Sequence, residues 1–374
     1  MPRRSLGTRR LVVALFLFAA AAASAANITV PTMEVDTYGS MVGSVFALQT
    51  YGNMTLQVDG GYKFGGSVDI GLTNNFNLEG FGVGSPPPVT FTGASIVIRQ
   101  LFSLPLDLTY FVGQNDIFAN GDAFSVFGAG PIGTSYRGFM YFPTGPLYNG
   151  LYQVQGTGLE MSIGPGTSPV AMDLYAYEDT HDPPFTSPGS YSADARILLN
   201  TVPLKLEAFF GGTYSASDPL GLWRTGLLFY ASNTNVEFLT EVGIPLYNPA
   251  TDTFGIDLFY LLVEPRLHMG LFSIVPTFFW HPGAYQQQED PSEVGTFDVN
   301  LNLYAGDPAR TAMSGGVEGN FSFQSSTGAA VVKASPWVGF LTSGVEWKLK
   351  IEAKLWPFDP TNLLDGFIGM QAEF

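Results

Sequence analysis

Imidazole is scarce in this chain: His181, His268 and His281 are its whole supply, and no cysteine exists, so a covalent nucleophile would have to be Ser or Thr. The densest reactive grouping is Asp179-Thr180-His181-Asp182, which lies in a loop with Pro183 and Pro184. A loop histidine flanked by acids is ordinarily solvated charge, and a catalytic constellation needs a base, an orienting partner and a reacting centre brought together. Glu178, Asp179 and Asp182, or Glu289, Asp290 and Glu293, offer hard oxygen donors of the kind Ca²⁺ takes, without the spacing of a dedicated calcium loop. Glycine-rich pieces such as Phe127-Gly128-Ala129-Gly130 lack the strand-to-helix context of a nucleotide site and read as turn chemistry. The residue types therefore predict no enzyme, no cofactor and no bound metal.

What would position such groups is a set of strands. From Met54 to Leu78 the even positions are mostly apolar and the odd positions mostly polar, with Gly65-Gly66 between the two runs reading as a tight hairpin turn. The same period of two recurs at Leu104–Val112, 170–177, Val202–Gly212, Val236–Ile244, Phe254–Val263, Phe297–Leu303, Met313–Phe323, 345–355 and 364–374. Weaker alternation falls near 42–50, 89–99, 135–142, 151–163, 191–199, 222–231 and 268–280, and segment 28–36, broken by Pro31, reads as a short plug or an initial strand. No helical period of useful length, fixed repeat or domain linker interrupts the pattern.

Composition says where such a sheet would live. The chain is 46% hydrophobic and 13% charged, with 31 Phe, 17 Tyr and 5 Trp, yet no segment after the N-terminus is an 18-residue uncharged apolar run. A bilayer admits only helices or closed barrels, because unpaired backbone groups are costly in hydrocarbon. Val345 to Leu355 then decides the direction of the faces: Lys348, Lys350 and Lys354 alternate with Leu349, Ile351 and Leu355. A mid-bilayer Lys costs about 2–4 kcal/mol, so that charged row must line the lumen.

The two ends agree. Arg3, Arg4, Arg9 and Arg10 precede an apolar run from Leu11 to Phe18 and the small-x-small site Ala23-Ser24-Ala25, the form of a secretory signal peptide over residues 1–25. Its removal takes four of the 16 basic residues and none of the 32 acidic ones, moving the balance from −16 to −20, which excludes nucleic acid as a partner. The last segment alternates Leu364, Ile368, Met370, Ala372 and Phe374 against Asp365, Gln371 and Glu373, and ends on its aromatic. This closing strand, with the leader, resembles bacterial outer-membrane β-barrel proteins of the porin-like kind.

The resemblance implies an all-β fold, a transmembrane antiparallel up-and-down β-barrel of about 16–18 strands over residues 26–374. It implies export to the outer membrane of a diderm bacterium, outer-membrane lipid around the wall, the barrel assembly machinery reading Phe374, and compatibility with a homo-oligomer. Asp179 to Asp182 has some likeness to the catalytic pairs of omptin proteases, but a second Asp pair is not evident. Passive diffusion of small polar solutes is the expected activity, with lumen-facing candidates Lys63, Asp69, Asp107, Lys205, Glu207, Glu237, Asp257, Asp298, Glu346, Lys348, Lys350 and Lys354. Acidic excess predicts a cation preference, and the three lysines of one strand a local anion-favouring wall. The alternatives are a hydrophobic-substrate transporter, for which Asn248-Pro249-Ala250 lies too far along the chain to be the N-terminal hatch motif, and a nonconducting adhesin or structural barrel. The polar stretches Gly84–Pro88, Gly128–Ser135, Tyr177–Gly189, Asp218–Leu222 and His281–Gly295 are expected to be extracellular loops.

Overall fold

The structure is a computed structural model and describes residues 27–373, apart from 43–44, 62, 78–88, 131, 136–147, 165–167, 181–188, 216–219, 283, 286–287, 290–294, 308–309 and 361. The leader, Phe374, His181 and the 135–142 segment beyond Ser135 lie outside the described residues. The strands are β1 (Asn27–Val42), β2 (Val45–Asp59), β3 (Phe64–Asn77), β4 (Val89–Ile98), β5 (Leu106–Phe118), β6 (Tyr152–Ile163), β7 (Val170–Asp179), β8 (Tyr191–Asn200), β9 (Leu204–Tyr214), β10 (Leu222–Ser232), β11 (Val236–Tyr247), β12 (Tyr260–Met269) and β13 (Phe272–His281). A two-residue hairpin, β14 (Ala284–Tyr285) and β15 (Gln288–Glu289), precedes β16 (Thr296–Ala305), β17 (Met313–Gln324), β18 (Ala329–Thr342), β19 (Val345–Trp356) and β20 (Leu364–Glu373).

Apart from the small hairpin, the strands form one 18-stranded sheet in which each pairs with its neighbours in sequence, and β1 pairs antiparallel with β20 to close it. Closure removes the unpaired edges that an open sheet would present. Thr32 faces Glu373 and Gly39 faces Gly366, so the first strand is full length, not a plug, and sits beside the last as the even strand count requires.

Alternation sorts the side chains. On β19, Lys348, Lys350 and Glu352 are buried inward while Leu349, Ile351 and Leu355 are exposed outward. The same holds around the wall, with Leu159, Ile197, Phe210, Leu261, Phe278, Leu301 and Ile368 among the exposed outward residues. The connections on the end where β20 finishes are short, as at 233–235, 270–271 and 343–344, and the longest on the opposite end runs between β5 and β6.

Several expected boundaries move. Gly65-Gly66 lies inside β3, where a Cβ on Gly66 would come within 2.7 Å of the Ser95 carbonyl on β4, and the turn is made instead around Gly61 at φ +92°. Residues 254–259 precede β12, with a 3-10 turn at Ile256–Leu258, so Asp257 leaves the wall. The 268–280 segment is divided between β12 and β13 by a turn in which Gly270 adopts φ +65°. β18, unmarked by clear alternation, is a 14-residue strand. Most consequential, the described part of Gly128–Ser135 does not project outward: Ile132 and Thr134 are buried inside the barrel.

Candidate functional site

The segment that enters the lumen is the connection from β5 to β6. Near its start β5 carries an irregularity between Gln114 and Ile117, where Gly113 takes φ +87° against β4; a Cβ there would lie 2.4 Å from the Thr92 carbonyl. Such bulges re-aim a strand, and Asp116 and Phe118 turn into the lumen behind this one. The Leu151 N–H donates to the Phe118 carbonyl at 2.8 Å, closing the neck of the connection. A 3-10 turn, Asp122–Phe127, runs between Gly121 and Gly128, both in the left-handed region.

The barrel wall that receives this loop carries apolar side chains, between polar ones, on its inner face as well as on its outer one. Phe209, Leu228, Leu239, Leu262 and Phe279 point inward and form one buried cluster with Phe118, Phe124, Ile132, Tyr148 and Leu151 of the loop and its ends. Ring centroids of Phe118 and Phe209 lie 4.8 Å apart, and those of Tyr148 and Phe279 4.1 Å apart. Gly226 on β10 and Gly243 on β11 face each other across the ladder and leave a notch for Leu151: a Cβ would reach its Cδ2 at 2.8 Å from Gly226 and 2.3 Å from Gly243.

Two buried glutamates hold the loop by its polar groups. Glu207 accepts the Ala119 N–H at 2.8 Å. Glu264 accepts the Thr134 hydroxyl at 2.9 Å, the Ser135 N–H at 3.0 Å and hydroxyl at 3.0 Å, and the wall's own Thr277 hydroxyl at 2.7 Å. Arg266 pairs with Glu264 at 2.7 Å and with Glu237 at 3.0 Å, and donates to the Gly133 carbonyl. Asn300 donates to the Tyr148 hydroxyl at 3.2 Å. Buried polar groups are tolerable only when satisfied in this way.

Beside the loop, Arg224 is 1% exposed, is bound twice by Asp194 at 2.6 and 2.7 Å, and stacks 3.9 Å from the Tyr152 ring centroid. Arg196 bridges Asp173 at 2.8 Å and Asp116 at 2.9 Å, and Asp116 also accepts the Tyr175 hydroxyl. Asp116, Asp173 and Arg196 line a cavity of about 360 Å³ between the loop and β6–β8, with Asn115, Asp122 and Glu160. Asp179 belongs to this interior network, accepting from Tyr152, Ser192 and Thr213, so it is withdrawn from the acidic loop cluster of the sequence reading.

The lysine row on β19 is balanced. Lys348 and Lys350 both bind Glu318, the first at 3.2 Å; Lys333 on β18 binds Glu352 at 3.0 Å and Lys354 binds Asp365 at 3.0 Å. The expected anion-favouring wall is therefore a ladder of opposite charges, because β17 and β20 bring carboxylates to it from either side.

Other candidates are dispersed. Asp69 faces inward and accepts from Thr55 at 2.6 Å, and Lys205 lies 5.1 Å from the Tyr230 ring centroid. Glu237 pairs with Arg266, Asp298 is buried on the inner face of β16, and Glu346 points inward near the start of β19. Asp107 instead accepts the Gln100 N–H at 2.8 Å, capping the β4–β5 turn. Lys63 is exposed in the β2–β3 turn and Asp257 sits in the 3-10 turn before β12, so neither lies on a strand of the wall. Among the described residues no group of three His, Asp or Glu side chains is arranged to hold a metal ion.

Arg196, Arg224, Glu264 and the inner apolar floor were not singled out by sequence reasoning. Their signal is present: Phe209-Phe210, Leu227-Leu228, Leu261-Leu262 and Phe278-Phe279 are consecutive apolar pairs, and a strand apolar on both faces is covered on both.

No family model matches the sequence, and no curated protein does. Solved structures do. OpdK of Pseudomonas aeruginosa, determined with vanillate, matches with a TM-score of 0.54 at 8% identity over 94% of this chain and 99% of its own. Wzi of Escherichia coli, described as a carbohydrate-binding outer-membrane β-barrel involved in group 1 capsule assembly, matches at 0.53 and 12% identity over 100% of this chain and 90% of its own. The fold is that of outer-membrane barrels. A looser likeness, at 0.49 and 8% identity, is to the Rhodopseudomonas blastica porin.

Proposed function

We propose that the protein is a porin-like channel of the outer membrane, through which small polar solutes diffuse past the loop held inside the barrel. The observation that carries this is the clasp: a long connection is turned inward and fixed to one side of the wall by Glu207, Glu264, Arg266 and Asn300. A loop fixed there narrows the passage without moving, and solutes are sorted by size and by the charges they meet. The inner carboxylates Asp116, Glu160, Asp173, Glu237 and Glu241 outnumber the neighbouring Arg196 and Arg266, and the β19 lysines are paired, which supports a cation preference.

The outward apolar band supports placement in a membrane, and the leader and closing strand support export, assembly through Phe374 and a surrounding of outer-membrane lipid. The vanillate of OpdK and the carbohydrate of Wzi are properties of those proteins, and at 8% and 12% identity neither ligand transfers.

Purified protein in a planar bilayer is expected to give stepwise conductance with cation-biased reversal potentials in a KCl gradient. A folded barrel that stays silent would sink the channel reading and favour a surface-binding one.

A further inference from the structure

The two mouths of the barrel differ in charge. Among the described residues, the connections at the end opposite the one where β20 finishes carry Asp122, Asp252, Asp257, Glu289 and Asp359 and no Lys or Arg. The short turns at the other end carry Lys63, Arg99 and Arg310 with Asp307. Asp59, the last residue of β2, lies 3.5 Å from Arg99, so that rim mixes signs where the long-loop rim has only one. Asp257 and Asp359 are exposed at the first mouth, Lys63 and Arg310 at the second. Between the rims, every Lys and Arg on the described strands except Lys205 lies within 3.2 Å of a carboxylate. The bases of the wall are thus neutralised where they stand.

From this division we infer that the barrel conducts cations unequally in its two directions, gathering them at the long-loop mouth and passing more current when they are driven from that mouth toward the short turns. The inference rests on the channel reading above and adds a direction to it. Charge of one sign around the mouth of a low-dielectric wall focuses the field and raises the local concentration of counter-ions, and fixed charges at an entry set its barrier. Cations driven in from the long-loop side come from that enriched pool. Cations driven the other way enter past Lys63, Arg99 and Arg310, from a pool without the enrichment. The charges are fixed and the lumenal loop is clasped to the wall, so the asymmetry belongs to the open channel itself and needs no gating movement. It is present from the first instant of each voltage step.

The test compares single-channel currents of the full-length barrel at equal and opposite voltages in symmetric KCl. At 0.1 M the two currents are expected to differ, and the ratio should fall toward one at 1 M, as the Debye length shrinks from about 10 Å to about 3 Å. A triple variant, Asp252→Asn with Asp257→Asn and Asp359→Asn, should lose most of the asymmetry while staying open and heat-modifiable. Asn at 252 keeps an oxygen for the Asn248 N–H, which Asp252 accepts at 2.7 Å. MgCl2 added to one compartment of the wild-type channel reads the same charge without any variant. It should level the two currents from the side whose cations carry the larger one, and leave them unequal from the other. Equal currents at 0.1 M in an open channel would overturn the inference and leave the channel standing. An asymmetry that neither the triple variant nor one-sided MgCl2 alters would do the same, and a folded barrel that passes no current would remove both.

Discussion

At the scale of single residues, the interior is organised by a few charges with many partners. Glu264 serves two loop residues, a wall hydroxyl and a guanidinium at once. Glu264→Ala should strip the loop of its far anchor, and the change is expected to raise single-channel conductance and open-channel noise while the barrel remains heat-modifiable. Arg224 tests a different quantity. Removing it leaves Asp194 buried without its counter-charge, and breaking a buried pair from one side costs about 3–5 kcal/mol. Arg224→Ala should therefore lower the denaturant midpoint in detergent, with Asp194→Asn restoring part of the loss in the double variant. Glu318 is the counterpart on the other wall. Since it neutralises Lys348 and Lys350 together, Glu318→Gln should release their charge and shift the KCl reversal potential toward anions. An unmoved potential would take β19 out of the conducting path.

Elements carry the next level, and here sequence and structure can be compared strand by strand. β19 was legible to the residue because its two faces differ as strongly as Lys and Leu can, and the hydrocarbon tolerates only one of them. β18 was not, since Lys333, Ser335, Trp337 and Gly339 on its inner face mix size and polarity, with Ala, Val and Pro opposite. The lumenal loop was hidden for a related reason: its glycines and prolines resemble those of any surface turn, and nothing local says which side of the wall it takes. What decides the side is the inner face of β9–β13, distant in sequence and marked only by apolar pairs. Leu151 and its glycine notch test this level directly. Leu151→Ala removes the group that fills the notch and should cost about 2–5 kcal/mol of local stability, read as faster proteolysis within the loop. Gly226→Leu should eject the same side chain and raise conductance.

For the whole molecule, closure by β1 against β20 makes one cooperative sheet, so global unfolding should be a single transition that every strand shares. Electrostatics also act at this scale. The Debye length falls from about 10 Å at 0.1 M salt to about 3 Å at 1 M, so cation selectivity measured in planar bilayers should fade over that range. Selectivity that persists unchanged in 1 M KCl would point to close contact with a constriction group in place of the summed field of the lumen.

The oily inner floor of β9–β13 has a consequence for the order of construction. Among the described residues, Leu228, Leu239, Leu262 and Phe279 belong to one buried cluster with a connection that leaves the ribosome before they do. The loop is therefore made before its wall, and the apolar inner residues of β9–β13 stay uncovered until those strands come round to receive it. Until that happens the chain carries apolar surface on both sides of those five strands, more than the outward band alone would present.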